Sequence, residues 1–336
     1  MNRRRFQEIA SRFAHLRLLV IGDLILDEFI WGRVRRISPE APIPVVEVTR
    51  ETFYPGGAAN VARNLREFTG AVHLMGLTGT DAHARRLRAL LEAHGIGSQC
   101  LLEDPAAQTI VKTRIIAQQQ QVVRVDRERP MSLSPAQSAQ ALDALDGLIG
   151  SIDGVIIEDY GKGLLSQPFV DAVIARARAA GKIVTADPNP TNPLHWRGVT
   201  AIKPNRAEAF GSAGRPCSLP VHPPTADTAL LEVGQDLLSR WETECLLITL
   251  SEQGVILFCR DAPPFHSPTR AREVFDVSGA GDTAIALFTL ALCAGASPVE
   301  AAEIANRASG VVVGKLGTAT VSPEELLESF PEAGAP

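Results

Sequence analysis

Cysteine is scarce in this 336-residue chain. Its five cysteines, Cys100, Cys217, Cys245, Cys259 and Cys293, are odd in number and show no CxxC spacing. This argues against a disulfide framework and a cysteine-rich zinc site, and fits a reducing cytoplasm. The seven histidines are scattered and form no HExxH, so the two-histidine zinc motif is absent. An excess of positive charge is lacking too: 33 Lys and Arg stand against 38 Asp and Glu, for a net charge of −5. Bulk charge therefore recruits neither nucleic acid nor anionic lipid. The longest nearly apolar run, Ala284 to Ala296, falls short of the roughly 20 residues a membrane helix needs. Arg3-Arg4-Arg5 looks like the basic head of a signal peptide. Glu8, Arg12, His15 and Arg17 interrupt the apolar segment that should follow. A cytoplasmic protein without nucleic-acid or membrane partners is expected.

What the chain does have is a globular balance, with 45% apolar and 21% charged residues, enough to bury a sizeable core. Short apolar runs at Leu16–Gly22, Val72–Leu77, Gly154–Glu158, Lys182–Ala186 and Cys245–Leu250 read as buried strands. Between them, Asp81–His94 places Leu87, Leu90 and Leu91 on one helical face. Ser134–Ile149 does the same with Leu142, Leu145 and Leu148. Asp81 and Ser134 are suited to cap these helices. Alternation of this kind predicts an α/β fold, a mostly parallel central sheet flanked by helices. Ligands in such folds sit beyond the carboxyl ends of the strands.

Two stretches break the alternation. Pro44–Thr49 and Thr109–Val125 alternate with a period of two, the second turning at Gln118–Gln121 like a hairpin. They predict a small β-sheet lid, with segments near 29–54 and 108–127, on one domain covering 1–336. Pro216–Pro224 reads as a surface loop.

The strongest local signal is Val274-Phe-Asp-Val-Ser-Gly-Ala-Gly281-Asp282-Thr, a glycine turn opening the apolar helix from Ala284. Gly279, Ala280 and Gly281 bring backbone N–H groups and the positive end of a helix dipole to an anion. Asp282, in the first turn, is placed to take a proton from an attacking hydroxyl, a pairing suited to phosphoryl transfer. The same residues also read as a simple helix cap after a tight turn. The turn satisfies GxGxxA as well, yet no following βαβ half with a ribose-binding acid fits after it. Gly310-Val-Val-Val-Gly314-Lys315-Leu316 has one residue too few for a Walker loop, and Leu316 replaces its Ser or Thr.

Further stations follow predicted strands. Gly56-Gly57-Ala-Ala-Asn60 opens a helix, either for close packing or to let Asn60 bind a polyol. Asp23 and Asp27 follow the first strand, as sugar-binding carboxylates or solvated loop acids. Asp159-Tyr-Gly-Lys162-Gly mixes an acid and a cation among turn glycines. Asn205 and Glu208 lie one helical turn apart, as a capping box, as a pair orienting Mg²⁺-bound water, or as both.

These stations, in this order from about residue 16 to 328, resemble the ribokinase-like (PfkB) carbohydrate kinases. Thr249-Leu-Ser251-Glu-Gln-Gly254 adds to the likeness. Within the family, Arg36–Val46, Pro55–Ala62, Gln119-Gln120…Arg124-Val-Asp126 and Asp159–Gly163 are similar to a subgroup. Its members phosphorylate D-glycero-β-D-manno-heptose 7-phosphate at the anomeric hydroxyl, for ADP-heptose and lipopolysaccharide synthesis. The resemblance implies ATP and Mg²⁺ as cofactors, and leaves a monovalent cation open. It implies Asp282 as base, with Gly279, Ala280 and Gly281 as the anion hole. Asn205 and Glu208 would serve phosphates and Mg²⁺, Glu208 through water. Thr249, Ser251, Gly254 and Asn306 would border the nucleotide. Asp27, Gly56, Gly57 and Asn60 would hold the sugar, with Arg124, Asp159 and Lys162 closing from the lid side. Lys112, Arg114, Arg124 and Lys162 are the cations available for a 7-phosphate. Many relatives carry a nucleotidyltransferase domain marked by HxGH. No HxGH occurs in these 336 residues, and no such domain is expected within them. Exposed lid edges would need partners, which predicts a homodimer through lid strands.

Overall fold

The computed structural model describes residues 1–332 except 119, 271–273 and 316. Gln119 of the subgroup-like segment and Leu316 of the near-Walker turn therefore lie outside the described residues.

The strands in chain order are β1 (Arg17–Gly22), β2 (Leu24–Ile37), β3 (Pro44–Gly57), β4 (Ala71–Thr78), β5 (Gly97–Glu103), β6 (Ile110–Ala117) and β7 (Gln120–Arg127), then β8 (Gly154–Glu158), β9 (Ile183–Asp187), β10 (Ala201–Ile202), β11 (Cys245–Thr249), β12 (Val255–Cys259) and β13 (Phe265–Ser267). Ten α-helices among the described residues cover them: α1 (Arg3–Ala10), α2 (Ala58–Arg66), α3 (Ala82–Ala93), α4 (Pro135–Leu148), α5 (Gln167–Ala179), α6 (Arg206–Ser212), α7 (Thr228–Arg240), α8 (Ala280–Cys293), α9 (Pro298–Val312) and α10 (Pro323–Glu328). No helix among the described residues is long and apolar enough to cross a membrane.

The central sheet has nine strands in the order β13-β12-β11-β10-β9-β8-β1-β4-β5. It is parallel from β11 to β5, and β12 and β13 extend it antiparallel at one edge. Its strands are continuous apolar runs because both faces are covered. In β1, Leu18 and Val20 join the core beneath α2, α8 and α9, while Leu19 and Ile21 join the opposite core with α4, α5 and α7. Helix α8 is buried continuously from Asp282 to Ala291, as expected of a helix apolar all round. Asp81 and Ser134 cap α3 and α4, each side chain accepting a backbone N–H.

The lid is a separate four-stranded sheet, β3-β2-β6-β7. β2 pairs antiparallel with β3 and parallel with β6, and β6 pairs antiparallel with β7. It grows from the carboxyl end of β1: one residue, Asp23, separates β1 from β2, and β3 runs directly into α2. The lid's root thus lies beside the strand ends where a ligand belongs. Every residue of β7 is exposed.

Candidate active site

Helix α8 starts where the glycine turn predicts. Gly279 takes φ +81° as its N-cap, a left-handed conformation that side chains resist. A Cβ there would also stand 2.9 Å from Asn60 Nδ2. Asp282 follows in the first turn, buried, with both carboxylate oxygens engaged. Asn60 Nδ2 donates to Oδ2 at 2.6 Å, and the Tyr160 hydroxyl donates to Oδ1 at 2.5 Å. Asn60 is itself fixed within α2, whose Asn64 donates to the Asn60 carbonyl at 2.9 Å and accepts from the Thr283 hydroxyl at 2.8 Å. Burial pushes the Asp282 carboxyl up, opposed by the bonds from Asn60 and Tyr160 and by the charge of Lys203.

Three strand ends face this helix start. Lys203, just after β10, pairs with Asp187 at the end of β9 at 2.9 Å. Carboxylates at Asp187, Glu208 and Glu158 hold the Lys203 ammonium in its charged form against burial. Glu158, at the end of β8, is wholly buried, and neither carboxylate oxygen has a hydrogen-bond partner among the described residues. Burial, then the neighbouring Asp187 and Asp282, push its carboxyl far up.

A cleft of about 470 Å³ opens above these groups. Asp282, Gly281 and Ala280 line it, together with Asn205, Glu208, Thr249, Ser251, Gly254 and Asn306. The nucleotide-side residues read from the sequence therefore converge on one space. Asn205 and Glu208 also form the capping box of α6: Asn205 Oδ1 accepts from Glu208 N at 2.9 Å, and Glu208 Oε2 accepts from Asn205 N at 2.7 Å. Asn306 Nδ2 donates to the Ser267 hydroxyl at 2.9 Å and the Pro268 carbonyl at 2.8 Å, fixing one wall of the cleft. Among the described residues, no three His, Cys, Asp or Glu side chains gather into a set able to hold a metal ion. Magnesium bound here would take Glu208 through water and complete its shell with phosphate oxygens, its usual manner in nucleotide sites.

The sugar-side residues divide. Gly56 pairs with Ile25 and lies diagonally across from Asp27: a Cβ on Gly56 would come within 2.3 Å of Asp27 Oδ2. Arg114 of β6 pairs with Asp27 Oδ1. Gly57, at φ +60°, packs over the Asp23 carbonyl. Asp159 lines the cleft and accepts from Gly161 N at 2.8 Å and Asn192 Nδ2 at 3.0 Å. Burial pushes its carboxyl up to about 7. Lys162 pairs with Glu128 at 2.7 Å. Arg124 pairs with its near neighbour Asp126 at 2.9 Å on the exposed strand β7, and does not line the cleft.

Asp23 is not a solvated acid. It is buried and accepts three backbone N–H bonds, from Tyr160 and Lys162 at 3.0 Å and Leu164 at 3.3 Å, holding the loop after β8. Sequence reasoning assigned no role to Tyr160, Glu158, Asp187 or Lys203. Their shared signal is position, each at or just beyond the carboxyl end of a parallel strand.

Comparison with known proteins agrees with this geometry. The pfkB family carbohydrate kinase profile matches residues 16–325. The bifunctional protein HldE of Citrifermentans bemidjiense is 42% identical over 327 residues, covering 97% of this chain and 66% of that protein. HldE of Geobacter sulfurreducens is 40% identical over 327 residues, covering 96% and 65%. The chain thus spans just under two thirds of these relatives' length. Arabidopsis thaliana ribokinase with ribose and ATP superposes with a TM-score of 0.67 at 18% identity, covering 94% of this chain and 96% of that one. Escherichia coli phosphofructokinase-2 with potassium gives 0.76 at 17%, covering 93% and 97%. Those identities speak to the fold alone, which is ribokinase-like. With the family profile spanning the lid, the helix-start aspartate and the cleft, the chain belongs to the PfkB family of carbohydrate kinases.

Proposed function

We propose that this kinase transfers the γ-phosphoryl group of ATP, with Mg²⁺, to the anomeric hydroxyl of D-glycero-β-D-manno-heptose 7-phosphate, giving the 1,7-bisphosphate. The observation that carries the phosphoryl-transfer step is Asp282, held on both oxygens by Asn60 and Tyr160 at the open start of α8. In this reading the sugar hydroxyl gives its proton to Asp282 as its oxygen bonds to the γ-phosphorus, and the bond to the ADP oxygen breaks. The N–H groups of Gly279, Ala280 and Gly281 meet the charge on the transferring group. Mg²⁺, when bound, neutralises phosphate charge. Asn205 and Glu208 orient its water ligands, and Thr249, Ser251, Gly254 and Asn306 border the nucleotide.

Asp27, Gly56, Gly57, Asn60 and Asp159 hold the sugar, with Arg124 and Lys162 on the lid side. Asn60 Oδ1 has no hydrogen-bond partner among the described residues, which suits an acceptor kept for a sugar hydroxyl. The heptose rests on the subgroup-like segments Arg36–Val46, Pro55–Ala62, Arg124–Asp126 and Asp159–Gly163, and on the HldE relatives. Lys112 and Arg114 of β6 bring cations beside Tyr160 and Asp27, as a 7-phosphate requires. Exposed valines on β7, with Val122 at 41%, Val123 at 45% and Val125 at 41% exposure, favour pairing of two lids in a cytoplasmic homodimer. Sedimentation at working concentration checks that.

The deciding assay couples ADP release to turnover of the heptose 7-phosphate beside ribose, fructose 6-phosphate and adenosine, in K⁺ and in Na⁺, with ³¹P NMR of the product. A 1,7-bisphosphate supports the reading. Turnover of another acceptor alone rejects the heptose and keeps the kinase.

A further inference from the structure

Tyr160 meets three parts of the site. Its hydroxyl donates to Asp282 Oδ1 at 2.5 Å. The Lys112 ammonium, from β6, lies 5.7 Å from its ring centroid, within reach of cation–π attraction. Its backbone N–H is fixed separately by Asp23 at 3.0 Å. The ring has an anchored base, a cation over its face, and the carboxylate at its tip.

We propose that Tyr160 is a positioning residue for Asp282, its hydroxyl fixing Oδ1 while Asn60 fixes Oδ2. The argument rests on reading Asp282 as the base. A carboxylate turns easily about its last torsion, while proton abstraction needs a lone pair aimed at one hydroxyl. Donors on both oxygens remove that freedom, and each oxygen keeps a lone pair for the sugar. Tyr160 serves as a lasting donor because burial, then the charges of Asp282 and Glu158, push its own phenol far up. The charged groups facing Asp282 from the surrounding elements are Lys203 after β10, Asp27 of β2, Glu158 of β8 and Asp187 of β9. Replacing Tyr160 by Phe alters none of them and retains the ring beneath Lys112.

The test is Tyr160→Phe, followed by carboxyl ¹³C NMR titration of labelled aspartates, with Asp282→Asn identifying the Asp282 resonance. A lost hydrogen bond to the charged form should raise the Asp282 midpoint by about one unit. The acid limb of kcat/KM should move up with it, and kcat at neutral pH should fall about tenfold. An unchanged midpoint in a folded Tyr160→Phe protein overturns the inference, even if kcat and thermal stability both drop. The titration needs no turnover. A wild-type enzyme that phosphorylates no sugar would therefore defeat the functional reading while the NMR still decides the role of Tyr160.

Discussion

Asn60 and Asp282 are 222 positions apart in the chain and 2.6 Å apart at the site. The bond joins the first turns of α2 and α8, so the helix that follows the lid and the helix that carries Asp282 are locked together.

Asp282→Asn keeps the shape and removes the proton acceptor. Turnover should fall by about 10²–10⁴, while ADP affinity measured by calorimetry stays near wild type. A rate within a few-fold of wild type would dismiss Asp282 as base.

Gly56→Ala tests the sugar side. The added methyl would meet Asp27 Oδ2 at 2.3 Å, so the carboxylate must move off its pair with Arg114. The KM for sugar should rise about tenfold or more, as a loss of roughly 1.4 kcal/mol, with the KM for ATP unaffected. Equal rises in both would mean general damage.

Lys203→Met leaves Asp187 without its cation in a site where the two side chains are only 3% and 15% exposed. Stranding one member of a buried pair costs about 3–5 kcal/mol. The urea midpoint should fall accordingly, and Lys203→Met combined with Asp187→Leu should regain most of it.

Glu158 governs a pH effect. Its carboxyl is raised far above the ordinary value and that of Asp159 to about 7, whereas unfolded carboxyls titrate near 4. The folded state therefore binds more protons than the unfolded state across that interval. The stability that their protonation contributes is complete below about pH 4. The Asp159 share is lost as pH rises through about 7, and the Glu158 share as pH rises above the ordinary carboxyl range. Glu158→Gln, a neutral isostere, should raise the thermal midpoint at pH 8, leave it nearly unchanged at pH 5, and flatten the slope between them. Equal midpoint changes at both pH values would show that Glu158 carries no such proton.

Much of this was legible in local sequence. The caps at Asp81 and Ser134, the capping box of Asn205 and Glu208, the glycine turn before α8 and the hairpin of β6 and β7 are all set within a few residues. The lid's full length was less so. β2 begins at Leu24, directly after Asp23; its first three residues, Leu24, Ile25 and Leu26, are buried and apolar and read as a continuation of β1. Tyr160, Asp187 and Lys203 lay beyond local reading altogether. Their significance comes from three strands ending at one height in a parallel sheet, which periodicity along a single segment does not encode. Asp23 shows the converse: a loop acid by sequence, it is an internal clamp because the loop after β8 turns its N–H groups inward.

The β2–β3 arm of the lid leaves the body at Asp23 and returns at Ala58, and those two residues share a backbone hydrogen bond of 3.0 Å. The excursion between them is a detour whose ends already touch. Lengthening or trimming such a detour costs closure entropy that grows only logarithmically and leaves the mounting of Asn60 and Asp282 in place. The reach of the sheet over the acceptor can therefore diverge among descendants of one ancestor while the phosphoryl-transfer apparatus stays fixed.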